Sequence, residues 1–534
     1  MLSETNNMTD IARPVARILW ADDEIDMLRP HIIFLEAKGY RVTPVSSGND
    51  ALHHVTEGKF RFDMIFLDEN MPGLSGLETL ERIKDIAPHI PVVLITKTED
   101  EYIMDLAVGS RISDYLIKPV NPNQILLSVK KVLHSDRLII ENDTKRSRNR
   151  YISLSDRIDN ATTVSEWHEI YRQLVRDSIK LDSSRSDTAA INDTLIEQAN
   201  DAFFKFVKNN YLSWIKERDN GESSIVMSPD ILDYAIMPLI RQELRPVLLL
   251  LDNLTLDQWI VAKSLFTESY DIATESLYTA ILPTSTQYCR NAILSGLMPE
   301  DIALRFPSLW IDETSNEGKN LSEEQLLHDW TTRRRLHGCT FSYHRTTDSV
   351  SLRNLAQRLH GNTANSDTFT VIIVNFTDIL AHSVSDNPML RELTPNDSAF
   401  RSIFLSWLNH SALRDLLHDF ATSRRPVIIT TDHGSVKVAT PVKISAEANT
   451  TSALRYKLGR NISAPDRQVF YMRPSEAGLP APTIASTFVV AGRRDFMLYP
   501  NNFNHYARTF AGTYQHGGIS MQEMILPLVT LIPK

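Results

Sequence analysis

The stretch Met64–Gly76, MIFLDENMPGLSG, decides the fold. Its opening run, Met64–Asp68, is an apolar strand closed by an acidic residue. Working outward, short apolar or β-branched runs recur at Arg17–Ala21, Arg41–Val45, Pro91–Thr96 and Asp114–Ile117, with amphipathic stretches between them. That alternation across residues 17–133 predicts a parallel sheet covered by helices on both faces. Five strands with five intervening or terminal helices fit one doubly wound α/β domain, and Pro119 and Pro122 open its last helix near Asn123–Leu133.

In open α/β sheets, function gathers at the carboxyl ends of the strands. Asp22 and Asp23 follow the first strand, Asp68 ends the third, Thr96 ends the fourth and Lys118 follows the fifth. Carboxylates converging on one edge repel unless a hard dication sits among them, and such oxygen donors suit Mg²⁺. Asp68 is then the nucleophile toward a phosphoryl group, Lys118 its counter-charge, and Thr96 a hydroxyl that bonds the new oxygen.

Between Asn123 and Asn220 there is neither glycine nor proline, so long helices are expected. Trp167, Ile170, Tyr171, Leu174 and Ile179 keep helical spacing behind a capping box formed by Thr163 and Glu166, and Ala199, Ala202, Phe203 and Phe206 repeat the stripe. Residues 135–218 read as a small helical bundle, with Lys145–Arg150 as a solvated loop. From about Gly221 strand-like runs return at Pro246–Leu251, Thr370–Val374, Pro426–Thr431, Phe488–Val490 and Ile525–Leu528. Their wide separations predict one large α/β domain with insertions, among them Trp310–Glu317 and His337–His344, to which no chemistry is assigned. The expected domains are therefore 15–134, 135–220 and 221–534.

The balance of 56 Lys+Arg against 66 Asp+Glu in 534 residues excludes a nucleic-acid-coating protein, and the composition excludes disordered or disulfide-scaffold chains. Cys289 and Cys339 form no paired thiolate site. No apolar run is long enough to span a bilayer, so a cytoplasmic protein without membrane insertion is expected.

The large domain places a second polar set on its strand ends. Asp252 ends PVLLLLD, Asp378 and His382 lie just beyond VIIVNFTD, Asp432 and His433 end PVIITTDHG, and His516 sits in TYQHGGISMQEM. Mixed Asp and His donors favour Zn²⁺, with Mn²⁺ as substitute, and two ions side by side clamp the attacking and leaving oxygens of phosphoryl transfer. In LPTSTQYCRNAILSGLMPED, Thr286 stands where a loop turns into a helix, at an N-terminus that welcomes phosphate oxygens. Metal coordination is the standard way to activate such a hydroxyl.

ILWADDE, MIFLDENMPGLSG, LITKTED and DYLIKPV, in that order, resemble a two-component receiver domain. The resemblance implies phosphorylation of Asp68 by a sensor histidine kinase, with Tyr115 as the rotating aromatic that reports the position of Thr96. Lys97 departs from the small residue frequent there and is placed to shade the acyl phosphate. The PT-x-T…G-x-x-P-E segment, TTDHG, D-x-x-x-H and HGGISMQEMILP resemble the alkaline phosphatase superfamily and its PglZ-type members. Carried over, Asp252, Thr286, Asp432 and His433 hold one zinc, and Asp378, His382 and His516 the other. A group that orients the non-bridging phosphate oxygens is expected but not identified by the sequence; Arg290, one turn past Thr286, is a weak candidate, with Asn375 behind the ligands.

A receiver, a helical linker and a PglZ-type domain in one chain resemble the PorX-type response regulators. That resemblance implies control of type IX secretion in Bacteroidota, a sigma factor as transcriptional partner, and a phosphorylation-promoted homodimer. The leading expectation is a two-zinc phosphodiesterase on nucleotide or oligonucleotide phosphodiesters with Thr286 as covalent nucleophile. The alternative is a metal-binding scaffold that holds a protein or nucleotide without turnover. Direct DNA binding lacks a basic recognition helix.

Overall fold

The computed structural model describes residues 16–57, 61–97, 112–181, 187–313, 320–336, 338–360, 368–447 and 450–534. The chain divides between Asn149 and Arg150 into two compact units.

In the first unit, β1 (Arg17–Ala21), β2 (Arg41–Val45), β3 (Met64–Asp68), β4 (Val92–Thr96) and β5 (Asp114–Ile117) form one sheet in the order β2-β1-β3-β4-β5. Every pairing is parallel, so the strands' carboxyl ends share one edge. The inner strands are buried on both faces because alternate side chains feed two cores. Leu19, Ile65, Leu67 and Leu94 pack on one side, and Ile18, Trp20, Phe66 and Val93 on the other. Helices α1 (Arg29–Ala37), α2 (Gly48–Glu57) and α3 (Gly76–Ile86) are the crossovers among the first four strands. Ser75 and Glu78 close a capping box that starts α3. Gly76 is required there, because a Cβ would lie 2.6 Å from the Asp68 carbonyl oxygen. The crossover expected between β4 and β5 falls largely outside the described residues.

The terminal helix does not stop at Leu133. Helix α4 runs Pro122–Asn160, taking in Lys145–Arg150, which is helical rather than a loop. No glycine or proline interrupts it after Pro122.

In the second unit, the end of α4, helix α5 (Val164–Leu181) and helix α6 (Asp187–Asp219) share a single apolar core with the large domain: Leu154, Ile158, Trp167, Phe203 and Tyr211 belong to the same cluster as Leu249, Ile293 and Leu526. The capping box before α5 is present, with Glu166 N–H donating to Thr163 Oγ1 at 3.3 Å and the Thr163 N–H donating to Glu166 at 2.9 Å.

The main sheet has six strands: β6 (Val247–Leu251), β7 (Tyr270–Thr279), β8 (Phe341–Thr346), β9 (Phe369–Val374), β10 (Val427–Thr430) and β18 (Ile525–Pro533), ordered β7-β18-β10-β6-β9-β8. Strands β10, β6, β9 and β8 run parallel, and β18 is antiparallel to both its neighbours. Smaller sheets pair β11 (Val436–Lys437) with β17 (Tyr514–Gln515), pair β12 (Thr440–Lys443) with β16 (Asp495–Leu498), and join β13 (Tyr456–Gly459), β15 (Thr487–Ala491) and β14 (Val469–Met472).

The Phe488–Val490 run is a strand of the three-stranded sheet. Two expectations need correction. His337–His344 is no surface insertion: from Phe341 onward it forms edge strand β8 beside β9. Trp310 is buried against Tyr288, with ring centroids 5.7 Å apart, so the start of Trp310–Glu317 is core. No helix among the described residues is long and apolar enough to cross a membrane.

Candidate phosphorylation and metal sites

At the carboxyl edge of the first sheet, Asp22, Asp23 and Asp68 bring carboxylate oxygens within 4.8 Å of one another. Asp22 and Asp68 are buried, and Lys118 Nζ reaches both, at 2.8 Å from Asp22 Oδ2 and 3.1 Å from Asp68 Oδ1. Thr96 is fully buried at the end of β4, and Tyr115 packs against the apolar core below it. Lys97 is paired with Glu24 at 2.9 Å on the exposed rim. Burial and the neighbouring Asp22 carboxylate push the Asp68 carboxyl up to about 6, outweighing the Lys118 ammonium. One cation is thus too few for this cluster. Asp68 Oδ2 is buried without a hydrogen-bond donor, which fits a dication ligated by these oxygens.

A pH dependence follows, because a metal competes with protons for Asp68. Mg²⁺ affinity of the whole protein, followed through Trp20 fluorescence or calorimetry, is expected to hold above pH 6 and to weaken as pH falls below it, by up to about tenfold per unit. A flat profile from pH 7 to 5 would show that Asp68 is not a ligand.

The second site is built where β6, β9 and β10 end. Asp252 follows β6 directly, Asp432 lies two residues past β10, Asp378 lies on the first turn of the helix Phe376–Asp386 after β9, and Thr286 starts the helix Thr286–Ser295. His516 arrives from the loop after β17. Two groups of donors emerge, each within 4.8 Å: Asp252, Asp432 and His433, and Asp378, His433 and His516. His433 belongs to both. The rings of His433 and His516 stack with centroids 4.1 Å apart.

Local hydrogen bonds fix which nitrogens face the cluster. His433 Nδ1 lies 3.2 Å from the Gly434 carbonyl and His516 Nδ1 lies 3.3 Å from the Thr284 carbonyl. A carbonyl only accepts, so both Nδ1 atoms carry protons and both Nε2 lone pairs point inward. Thr286 Oγ1 donates to His433 Nε2 at 2.9 Å. Burial and the adjacent His433 hold His516 down at about 3, so it is a neutral imidazole, the form that ligates metals. Asp252 Oδ1 is buried with no hydrogen-bond donor, and burial drives that carboxyl well above its usual range. These orphaned oxygens and inward imidazoles fit two zinc ions held by Asp and His donors.

His382 stands apart from this arrangement. It is 53% exposed and meets the cluster at its rim, through Asp378 3.5 Å away and edge-on to the His516 ring with centroids 5.7 Å apart. Arg290 is corrected: it does not point at a substrate position. It is wholly buried beneath the ligands, bonding Asp252 and, at 2.9 Å, Asp432, with Glu323 3.6 Å away. Despite burial, this guanidinium holds the Asp432 carboxyl at about 2. Asn375 Oδ1 is buried without a partner, while Asn253 Nδ2 donates to Asp378 Oδ1 at 3.2 Å.

The loops are tied together by residues that sequence reading passed over. Thr284 Oγ1 donates to the Gly518 carbonyl at 2.8 Å and accepts from Gly517 N–H at 3.1 Å, joining the Thr286 loop to the His516 loop. Glu523 accepts from Gly518 N–H at 2.7 Å and pairs with buried Arg455 at 2.6 Å. Their signal was a single acidic residue, Glu523, set among the apolar residues of Met521–Pro527, where a buried carboxylate calls for a cationic partner.

Gly434 completes the junction, since a Cβ there would lie 2.1 Å from the Gln522 carbonyl oxygen. Gly434→Ala is therefore expected to cost about 1–3 kcal/mol and to weaken metal binding by parting the His433 and His516 loops. Thermal melts with and without zinc measure both effects, and a variant matching wild type in each would show that the loops need no such contact.

Fold and sites together define a response regulator: a receiver with an acidic cluster at the carboxyl edge of its sheet, followed by an output domain of alkaline phosphatase type. Comparison with known proteins agrees. Residues 18–130 match the response regulator receiver domain, 137–215 the PorX response regulator linker domain, and 231–531 the BREX system PglZ alkaline phosphatase-like domain. The chain belongs to the PglZ alkaline phosphatase-like family and has the PorX-type architecture.

Curated relatives match the receiver region. The cyclic di-GMP phosphodiesterase response regulator RpfG of Xanthomonas campestris is 32% identical over 26% of this chain and 36% of its own length. The transcriptional regulatory protein ZraR of Klebsiella oxytoca is 35% identical over 23% of this chain and 27% of its own. The chain thus spans about a third of the length of these relatives. A receiver-domain crystal structure from Clostridium thermocellum is 32% identical, covering 23% of this chain and 99% of that one at a TM-score of 0.22. The chain thus joins a response regulator receiver domain to a PglZ alkaline phosphatase-like domain.

Proposed function

We propose that the output is a two-zinc phosphodiesterase acting on nucleotide or oligonucleotide phosphodiesters, controlled by phosphorylation of Asp68. The observation that carries this reading is the place of Thr286: its hydroxyl opens a helix and lies 2.9 Å from the one histidine common to both donor groups. The first turn of that helix leaves backbone N–H groups free to bind phosphate oxygens. Bound zinc would supply charge neutralisation and a lowered pKa for the hydroxyl. Thr286 Oγ then bonds to phosphorus as the bond to the leaving alcohol breaks, and water cleaves the phosphothreonine in a second step.

Asp252, Asp432 and His433 would hold one zinc and Asp378 and His516 the other, with His382 as the outer donor on Asp378; the single inward lone pair of His433 Nε2 serves one ion. In the receiver, Asp22, Asp23 and Asp68 would hold Mg²⁺, which would neutralise charge as Asp68 accepts a phosphoryl group from a sensor histidine kinase. Lys118 neutralises the new charge, and Thr96 and Tyr115 report it. The wider role we propose, supported by the PorX-type architecture, is cytoplasmic signalling to type IX secretion, with a sigma factor as partner and a two-fold dimer promoted by phosphorylation.

Elemental analysis together with hydrolysis of a chromogenic phosphodiester tests the enzyme reading. About two zinc per chain are expected, with activity lost in His516→Ala. Turnover that survives complete metal removal, or bound zinc with no turnover, would overturn it.

A further inference from the structure

The segment Met521–Glu523 touches both metal-bearing loops and one linker helix. On the cluster side, Glu523 accepts from Gly518 N–H at 2.7 Å, two residues past His516. The Glu523 carbonyl also accepts from Gly434 N–H at 3.3 Å, next to His433, and the Gln522 carbonyl fills the space a Gly434 side chain would take. On the other side lies Asn200 of α6, which is 2% exposed. Its amide is used at both ends: Oδ1 accepts from Met521 N–H at 2.9 Å, and Nδ2 donates to Gln522 Oε1 at 3.1 Å.

A buried amide satisfied at both ends has one low-energy placement, because shifting either side strands a donor or an acceptor. Around it α6 is held at further points. Arg493 pairs with Asp201, and a Cβ on Gly492 would lie 2.2 Å from the Phe204 ring. Two residues before Asn200, Gln198 exchanges hydrogen bonds with Ser155 at 3.0 Å and donates to Asp159 at 2.9 Å, both on the last turns of α4.

We infer that Asn200 is a positioning residue for the metal cluster: by clasping Met521 and Gln522 it makes the placement of His433 and His516 depend on α6. Asn200 touches neither a metal donor nor a substrate position. It acts through Glu523, Gly518 and Gly434, as outer partners of ligands do in metal sites generally. The inference deepens the zinc reading proposed above and rests on it for its affinity readout.

The test uses the full-length protein and zinc alone. Asn200→Ala is expected to weaken zinc binding about tenfold in chelator competition, with a smaller loss in the same direction for Gln522→Ala. Hydrogen exchange is expected to quicken in Asn200→Ala at Gly518 N–H as well as at Met521 N–H. Phe206→Leu, a core change on the same helix, is expected to lower stability while leaving zinc affinity within twofold of wild type.

Unchanged zinc affinity and unchanged Gly518 exchange in Asn200→Ala would overturn the inference. So would an equal affinity loss in Phe206→Leu, since the effect would then be general loosening. A wild-type chain that binds no zinc would defeat the functional proposal instead, and Gly518 exchange would still decide this one.

Discussion

Thr286→Ala is expected to lower turnover of a phosphodiester by at least about a thousandfold, the scale on which removal of a nucleophile differs from removal of a contact. The side chain sits at the first position of a buried helix, with Oγ1 2.9 Å from His433 Nε2, and the substitution removes one oxygen while leaving the helix and its Ser285 cap in place. Each donor group keeps three Asp and His side chains within 4.8 Å when Thr286 is changed. Zinc content should therefore stay near that of wild type, which separates lost chemistry from lost metal. Thr286→Ser keeps the oxygen and should retain a measurable share of activity. Steady-state kinetics on zinc-saturated protein checks both variants. Equal kcat/KM in Thr286→Ala and wild type would remove the nucleophile and favour a domain that binds a partner without turnover.

The receiver was legible almost residue by residue because its rules are local. Each inner strand is a short apolar run buried on both faces, and each functional side chain stands immediately beyond a run, so β1, β2, β3 and β5 match their expected bounds. In the large domain the same criterion found β6, β9, β10 and β18, which lie at the centre of the sheet. It missed β7 and β8, the two edges. Their sequences, YDIATESLYT and FSYHRT, mix polar residues into the strand because one side meets no neighbouring strand, and an apolar-run test discards them.

The donors themselves were legible from their positions after strands, whereas their sharing was not. That His433 faces both groups depends on a ring packed against His516, 83 residues later in the chain. Likewise, the exposure of His382 could not be foreseen: its spacing of four from Asp378 puts both on one helical face, yet says nothing about how deep that face lies. Arg290 shows the limit most directly. One turn past Thr286 it could point at substrate or into the core, and only the meeting of β6, β10 and the helix Glu323–Arg333 selects the second.

That placement makes Arg290→Met the other large effect, this time on stability. The guanidinium is wholly buried between Asp252, Asp432 and Glu323, and Glu323 also accepts from the Tyr343 hydroxyl. Removing it strands acidic groups in a dry interior, which costs about 3–5 kcal/mol where one partner of a buried pair is deleted. The sign of the pH dependence is diagnostic. In wild type the Asp432 carboxyl is held at about 2, below its unfolded value, so its contribution is full above about pH 4 and is lost as pH falls through 2. Without Arg290 the carboxyls of Asp252 and Asp432 bind protons more readily in the folded chain, so metal-free Arg290→Met should gain stability as pH falls from 7 to 5. A divalent cation would replace the missing charge, and added zinc should raise the melting temperature of Arg290→Met by more than it raises that of wild type. Calorimetric melts in chelator and in zinc, at pH 7 and pH 5, measure all three quantities. Arg290→Met melting with wild type in chelator would show that Asp252 and Asp432 need no cation beneath them.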